Sequence, residues 1–176
     1  KYLFYIDFFT FNSYNLYNRT IIIIYMWGKE KKKVFLGGTC NGSTWRDKLI
    51  PMLHTDVLYF NPVVEDWTED CQLIEEQEKW GPCDIHLYVI TPDMKGVYSI
   101  AELVESVMCS YVYNADLQET AAYTIFAVLN ESVDTGKTFT KAEIKSFDAI
   151  KKLVEKYGGI ICDNLNDVAD TINSLA

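Results

Sequence analysis

Three carboxylates frame one break in the chain. Asp84 opens the apolar run Ile85 to Ile90, Asp93 follows it after Thr91-Pro92, and Glu102 lies in the first turn of a helix pattern that begins near Ser99. Carboxylates gathered near one strand end suit glycosidic chemistry, in which one attacks or stabilises an anomeric carbon while another gives a proton to the leaving group. Crowding them raises the pKa of one, which keeps a proton available near neutral pH. The plainer reading makes Asp93 a turn former after Pro92 and Glu102 a favourable charge at a helix start. Glu105 shares part of the Glu102 face and is expected to point to solvent.

Upstream, Gly37-Gly38-Thr39-Cys40-Asn41-Gly42-Ser43 is a glycine-rich loop that ends where another helix pattern starts. Unpaired backbone N–H groups at such an end make an anion or hydroxyl site. Ser43, Thr44 and Arg46 could hold a phosphate or a sugar hydroxyl, or serve as a helix cap and a surface arginine. The loop is neither G-x-G-x-x-G nor a Walker A loop, because no Gly-Lys-Ser/Thr follows. Neither a nicotinamide nor a nucleoside-triphosphate role is supported.

The elements that must position these residues alternate in type. Val34 to Leu36, Val57 to Phe60, Ile85 to Ile90, Thr120 to Leu129 and Ile160 to Cys162 read as strands. Helices are expected over Thr44 to Leu53, in the later part of the acidic stretch Glu65 to Glu78, from Ser99, over Lys141 to Tyr157, and through Val168, Ile172 and Leu175. Gly158-Gly159 ends the fourth of these, and Asn164 or Asn166 caps the last. Such alternation implies a parallel sheet with helices on both faces. The fold expected is a single doubly wound α/β domain of about five strands, flavodoxin-like in order. In sheets of this kind, ligands bind at the carboxyl ends of the strands.

Composition narrows the function further. The 176 residues suffice for one domain with a real core, and the 49% apolar fraction suits a globular chain. A net charge of −9 argues against a nucleic-acid polymer as partner. The basic cluster of Lys29 and Lys31 to Lys33 reads as a solvated flank of the first strand. Five scattered cysteines without C-x-x-C, and only His54 and His86 beside them, offer no zinc-type spacing and read as reduced cytoplasmic thiols. Cys40 alone is placed for partial exposure. No metal or organic cofactor and no membrane partner are expected, since Ile21 to Met26 falls far short of the ~18 residues of a span. Residues 1–25, rich in Phe, Tyr, Asn and Ile, form an atypical extension before the 26–176 domain. They read either as translated upstream sequence with Met26 as the start, or as an extra strand or docking segment.

Val34-Phe35-Leu36-Gly37-Gly38-Thr39, Tyr59-Phe60-Asn61-Pro62, Cys83-Asp84-Ile85-His86-Leu87-Tyr88-Val89-Ile90 and Gly96-Val97-Tyr98-Ser99-Ile100-Ala101-Glu102 together resemble the nucleoside 2-deoxyribosyltransferase-like proteins. The resemblance spans Val34 to Val107 and extends more loosely to the C-terminus. It implies that Glu102 is the nucleophile that attacks C1′ of a 2′-deoxyribonucleoside, with a second base or water capturing the deoxyribosyl ester. Asp84 and Asp93 would handle the base and its proton, and Gly37, Gly38 and Thr39 would floor the sugar. Trp45, Trp67 and Tyr98 could stack on the base, with core packing the alternative for each. The partners implied are a nucleoside or nucleotide and a free nucleobase, with a role in nucleotide salvage. The family's C-terminal residue, lent to a neighbour's site, has no match placed here; a homo-oligomer is implied by resemblance alone.

The loop after the first strand is longer and more polar than a simple nucleoside pocket needs. A related branch hydrolyses deoxynucleoside 5′-monophosphates, and Ser43 with Arg46 could serve a 5′-phosphate. The reading is therefore a retaining two-step deoxyribosyl transfer through Glu102. Its rivals are a hydrolase that releases free base on the same scaffold, and a catalytically silent nucleotide-binding module.

Overall fold

Each short apolar run becomes a strand, and each is followed by a segment with helical spacing. The computed structural model describes residues 31–176 apart from Asn41, Trp67 and 118–121, so the reading of residues 1–25 lies outside the described residues. The elements are β1 (Lys33–Gly38), α1 (Trp45–Leu49), β2 (Leu58–Phe60), α2 (Glu69–Trp80), β3 (Ile85–Ile90), α3 (Tyr98–Leu117), β4 (Tyr123–Val128), α4 (Lys141–Lys156), β5 (Ile160–Cys162) and α5 (Leu165–Leu175). The strands pair in parallel in the order β2-β1-β3-β4-β5, which is the expected doubly wound α/β arrangement. Residues 31–176 form one compact unit.

Alternation along the strands divides the core into two layers. Val34 and Leu36 of β1, with Ile85, Leu87 and Val89 of β3, face Trp45 and Leu49 of α1 and Val168 and Ile172 of α5. Phe35, Tyr88, Ile90 and Phe126 point the other way, onto Leu103 and Val107 of α3 and Phe147 and Val154 of α4. β3 is covered on both faces, which explains why its sequence is almost continuously apolar.

Local chemistry sets the element ends. Pro51 lacks the N–H that continuing α1 would need, so the helix expected to reach Leu53 stops at Leu49 and tightens into a 3-10 turn over Ile50–Met52. Thr68 caps α2 by accepting from the Cys71 amide, and Thr140 with Glu143 forms a capping box at α4. Asn164, rather than Asn166, caps α5. The fourth strand runs Tyr123–Val128, and its expected start at Thr120 lies outside the described residues. No helix among the described residues is long and apolar enough to cross a membrane.

Candidate active site

The carboxyl ends of β1 and β3 lie side by side, with Gly37 opposite Tyr88 and Gly38 opposite Val89. A Cβ on Gly37 would stand 2.7 Å from the Phe35 ring and 2.8 Å from the Tyr88 ring, so the missing side chain makes room for these two buried core rings. Gly38 has φ +115°, and a Cβ there would reach within 2.1 Å of the Val89 carbonyl oxygen. Only glycine fits both demands. Thr39 is buried, and its hydroxyl accepts from the Thr91 amide at 2.9 Å, tying the end of β1 to the end of β3. The three residues expected under the sugar thus lie at the joined carboxyl ends of β1 and β3, Gly37 packed against core rings, Gly38 against β3 backbone, and Thr39 bonded to Thr91.

Beside these strand ends, α2 and α3 are joined by contacts of Lys79 with Glu102 and of Gln72 with Tyr98. Because α3 starts at Tyr98, Glu102 is its fifth residue and opens the second turn rather than lying in the first. Ser99, one turn earlier, donates its hydroxyl to the Gly38 carbonyl at 3.2 Å and holds the helix start against β1. Glu102 is 7% exposed, and its Oε1 lies 3.2 Å from the ammonium of Lys79, itself 2% exposed. Burial pushes the Glu102 carboxyl up, and the Lys79 charge and hydrogen bond oppose that shift.

Glu75, one turn before Lys79 on α2, lies near enough to Glu102 for their charges to interact. Burial first, and then the Glu102 charge, push its carboxyl up to about 7. Both carboxyls are thus held above the usual carboxylate range, and Glu102 differs in having the Lys79 ammonium within hydrogen-bond distance. Tyr98 stands at the rim, more than half exposed, with its hydroxyl 3.4 Å from the Gln72 amide nitrogen.

The other expected site residues lie elsewhere. Asp84 precedes β3, and its carboxylate accepts from the Lys33 amide at 2.8 Å where β1 and β3 begin. The length of β3, roughly 20 Å at the strand rise, separates it from the carboxyl end. Grouping Asp84 with Glu102 is therefore corrected: it helps to start the strand pair. Asp93 does lie at the carboxyl end, but the Ser132 and Thr135 hydroxyls, from the loop after β4, donate to its two oxygens.

Ser43 and Thr44 are likewise engaged. Asp134 accepts from the Ser43 hydroxyl at 3.1 Å, from the Thr44 amide at 2.9 Å, and from the Thr44 hydroxyl. Arg46 is not a surface arginine, being 2% exposed. It donates to the Leu36 carbonyl at 2.9 Å and the Thr39 carbonyl at 2.8 Å, and its guanidinium lies 4.3 Å from the Trp45 ring centre. Trp45 is fully buried in the α1 layer and donates to the Thr39 carbonyl, so it cannot stack on a ligand. Trp67 lies outside the described residues. Among the described residues, no group of three His, Cys, Asp or Glu could hold a metal ion.

Sequence reasoning missed Glu75 and Lys79. Their signal was present: they are four residues apart on one helix face, and Lys79 is the single cation of a strongly acidic helix. What hid it was the acidity of the whole stretch, which reads as a solvated face.

Residues 31–113 match the family model described as nucleoside 2-deoxyribosyltransferase like. The matched segment covers β1 through most of α3 and includes Gly37, Gly38, Glu75, Lys79, Asp93 and Glu102, so the resemblance read from the motifs is borne out there. No curated protein and no solved structure matches the chain.

Proposed function

We propose that the carboxylates between α2 and α3 break and remake the N-glycosidic bond of 2′-deoxyribonucleosides, transferring the deoxyribosyl group to another base. The observation that carries this reading is the buried Glu102 carboxylate facing Lys79, with Glu75 poised near neutral pKa within reach of its charge. A Glu102 oxygen attacks C1′ through an oxocarbenium-like transition state while the C1′–N bond breaks. The bond's electron pair stays on the base nitrogen, which takes the Glu75 proton. An incoming base then attacks C1′ of the ester, frees the Glu102 carboxylate and returns a proton to Glu75. Asp93 shapes the rim, and Tyr98 offers a face for the base. Nucleosides, free bases and a homo-oligomeric cytoplasmic enzyme belong to the same reading.

An unphosphorylated donor fits better than a 5′-monophosphate. The hydroxyls and amide that would meet a phosphate already bind Asp134, and the Arg46 guanidinium is turned onto backbone carbonyls.

Incubating wild type and Glu102→Ala with 2′-deoxyinosine or a deoxynucleotide, with and without adenine, tests the proposal by chromatography. A new deoxynucleoside that requires both adenine and Glu102 is expected. Free base released regardless of adenine identifies a hydrolase. Absence of turnover across purine and pyrimidine donors sinks the enzymatic reading and leaves a nucleotide-binding module.

A further inference from the structure

Lys79 has almost no access to water, yet it faces two carboxylates of unequal exposure. Its ammonium lies 3.2 Å from Glu102 Oε1 and 3.4 Å from Glu105 Oε2, whose side chains are 8% and 55% exposed. The Phe35 and Trp80 ring centres lie 5.8 and 5.1 Å away, and the Glu75 charge also acts on this ammonium. Glu102 and Glu105 are three residues apart on α3, so one ammonium reaches both. At the other end of the residue, His86 Nε2 holds the Lys79 carbonyl at 2.8 Å and fixes the last turn of α2 against β3.

A buried ammonium with no counter-charge is strongly unfavourable. The reaction proposed above removes the buried counter-charge that Lys79 directly contacts. When a Glu102 oxygen bonds to C1′ and the C1′–N pair leaves with the base, the carboxylate becomes a neutral ester. Lys79 then loses its contact with a Glu102 charge while the ester lasts, and the negative charge passes to Glu75, one turn away on α2.

Resting on the reading of Glu102 as nucleophile, we propose that Lys79 and Glu105 are a charge-balancing pair for the two-step reaction. In the free enzyme, Lys79 holds Glu102 as the attacking carboxylate. In the ester, Glu105 is the carboxylate left in direct contact with Lys79 and neutralises it together with the deprotonated Glu75, until a base or water attacks C1′ and releases the Glu102 carboxylate to resume its place. Both are positioning residues that act through Glu102, which also explains why Glu105 faces Lys79 rather than solvent alone.

The groups that face Glu102 are Glu75, Glu76 and Lys79 on α2, Tyr98 and Glu105 on α3, and Tyr88 on β3. Of these only Lys79 is cationic, so the two substitutions should move the Glu102 titration in opposite directions. The test is the pH profile of kcat/KM on 2′-deoxynucleosides, with the intact mass of protein quenched during turnover, for wild type, Lys79→Met, Glu105→Gln and Glu102→Gln. Lys79→Met is expected to raise the acid limb by about one pH unit or more, a loss of about tenfold on the acid side of the profile that shrinks as pH rises. Glu105→Gln is expected to lower the acid limb, while the fraction of protein carrying a deoxyribosyl mass falls about tenfold.

A pair that only stabilised the fold would not split the limb in this way. If Lys79→Met fails to fold, the more exposed Glu105→Gln decides alone. Wild-type limbs and adduct fractions in the folded variants would overturn the pairing and leave Glu102 as nucleophile. No turnover and no adduct in wild type would overturn both.

Discussion

The Asp134 carboxylate occupies the donors at the start of α1, accepting the Thr44 amide at 2.9 Å from a position ninety residues away in the chain. The Thr44 hydroxyl and amide, then the Ser43 hydroxyl, hold the Asp134 carboxyl below the usual carboxylate range, so this anion stays charged. Removing it frees three donors. Asp134→Ala is expected to raise kcat/KM for a deoxynucleoside 5′-monophosphate, relative to the nucleoside, by about tenfold, the worth of one charge-assisted hydrogen bond. An unchanged ratio would place the 5′ position of the substrate away from this loop.

Glu75 is held up to about 7, first by burial and then by the Glu102 charge. A raised carboxyl keeps its proton below that pH and loses it above. The rate of glycosidic cleavage should therefore decline as pH rises through about 7. Glu75→Gln should abolish that alkaline limb and slow release of the base by about 10²–10⁴-fold. A limb that survives in Glu75→Gln assigns the proton to another group.

Arg46 supports the loop from beneath. Arg46→Met removes two charged donors from the Leu36 and Thr39 carbonyls. The expected loss is about 3 kcal/mol. For a domain of this size that lowers Tm by roughly 6–12 °C. Discrimination between phosphorylated and unphosphorylated donors should not change. A normal Tm with weakened binding of 5′-monophosphates would instead return Arg46 to the role of phosphate ligand.

His86 is buried in the α2 and α3 layer, and burial pushes its pKa down from 6.5 to about 4. Between these values the unfolded chain binds a proton at residue 86 that the folded chain does not. The stability tied to this group is thus fully present above pH 6.5 and is lost as pH falls towards 4. The slope approaches 1.4 kcal/mol per pH unit, for a total of about 3 kcal/mol. Urea unfolding of wild type and His86→Phe across pH 4 to 7.5 isolates this contribution, because the other titrating groups cancel in the difference. A difference that does not vary with pH would mean that His86 titrates normally in the fold.

Much of the architecture was legible because it depends on local pattern. The run from Ile85 to Ile90 can only be a strand covered on both faces, and Asn164 and Gly158 mark helix ends by side-chain and backbone chemistry that needs no tertiary context. Glu102 was legible for the same reason, as a carboxylate placed where a strand gives way to a helix. Asp84 was misplaced because the sequence shows nearness along the chain, whereas a strand carries its two ends to opposite sides of the sheet. Arg46 looked like a solvated charge and Lys79 drew no reading, since their burial depends on which helix face meets which layer. The capture of Ser43 and Thr44 by Asp134 arises only when the loops after β1 and β4 converge.

That convergence has a consequence for how this protein can change. The segment after β4 contributes no attacking group, yet it binds Asp93 through Ser132 and Thr135 and the α1 start through Asp134, while Lys48 donates back to the Val133 carbonyl. It works as a detachable template for the rim. Exchange of residues 130–138 alone offers a route to a new donor preference, with Glu102 and Lys79 inherited unaltered.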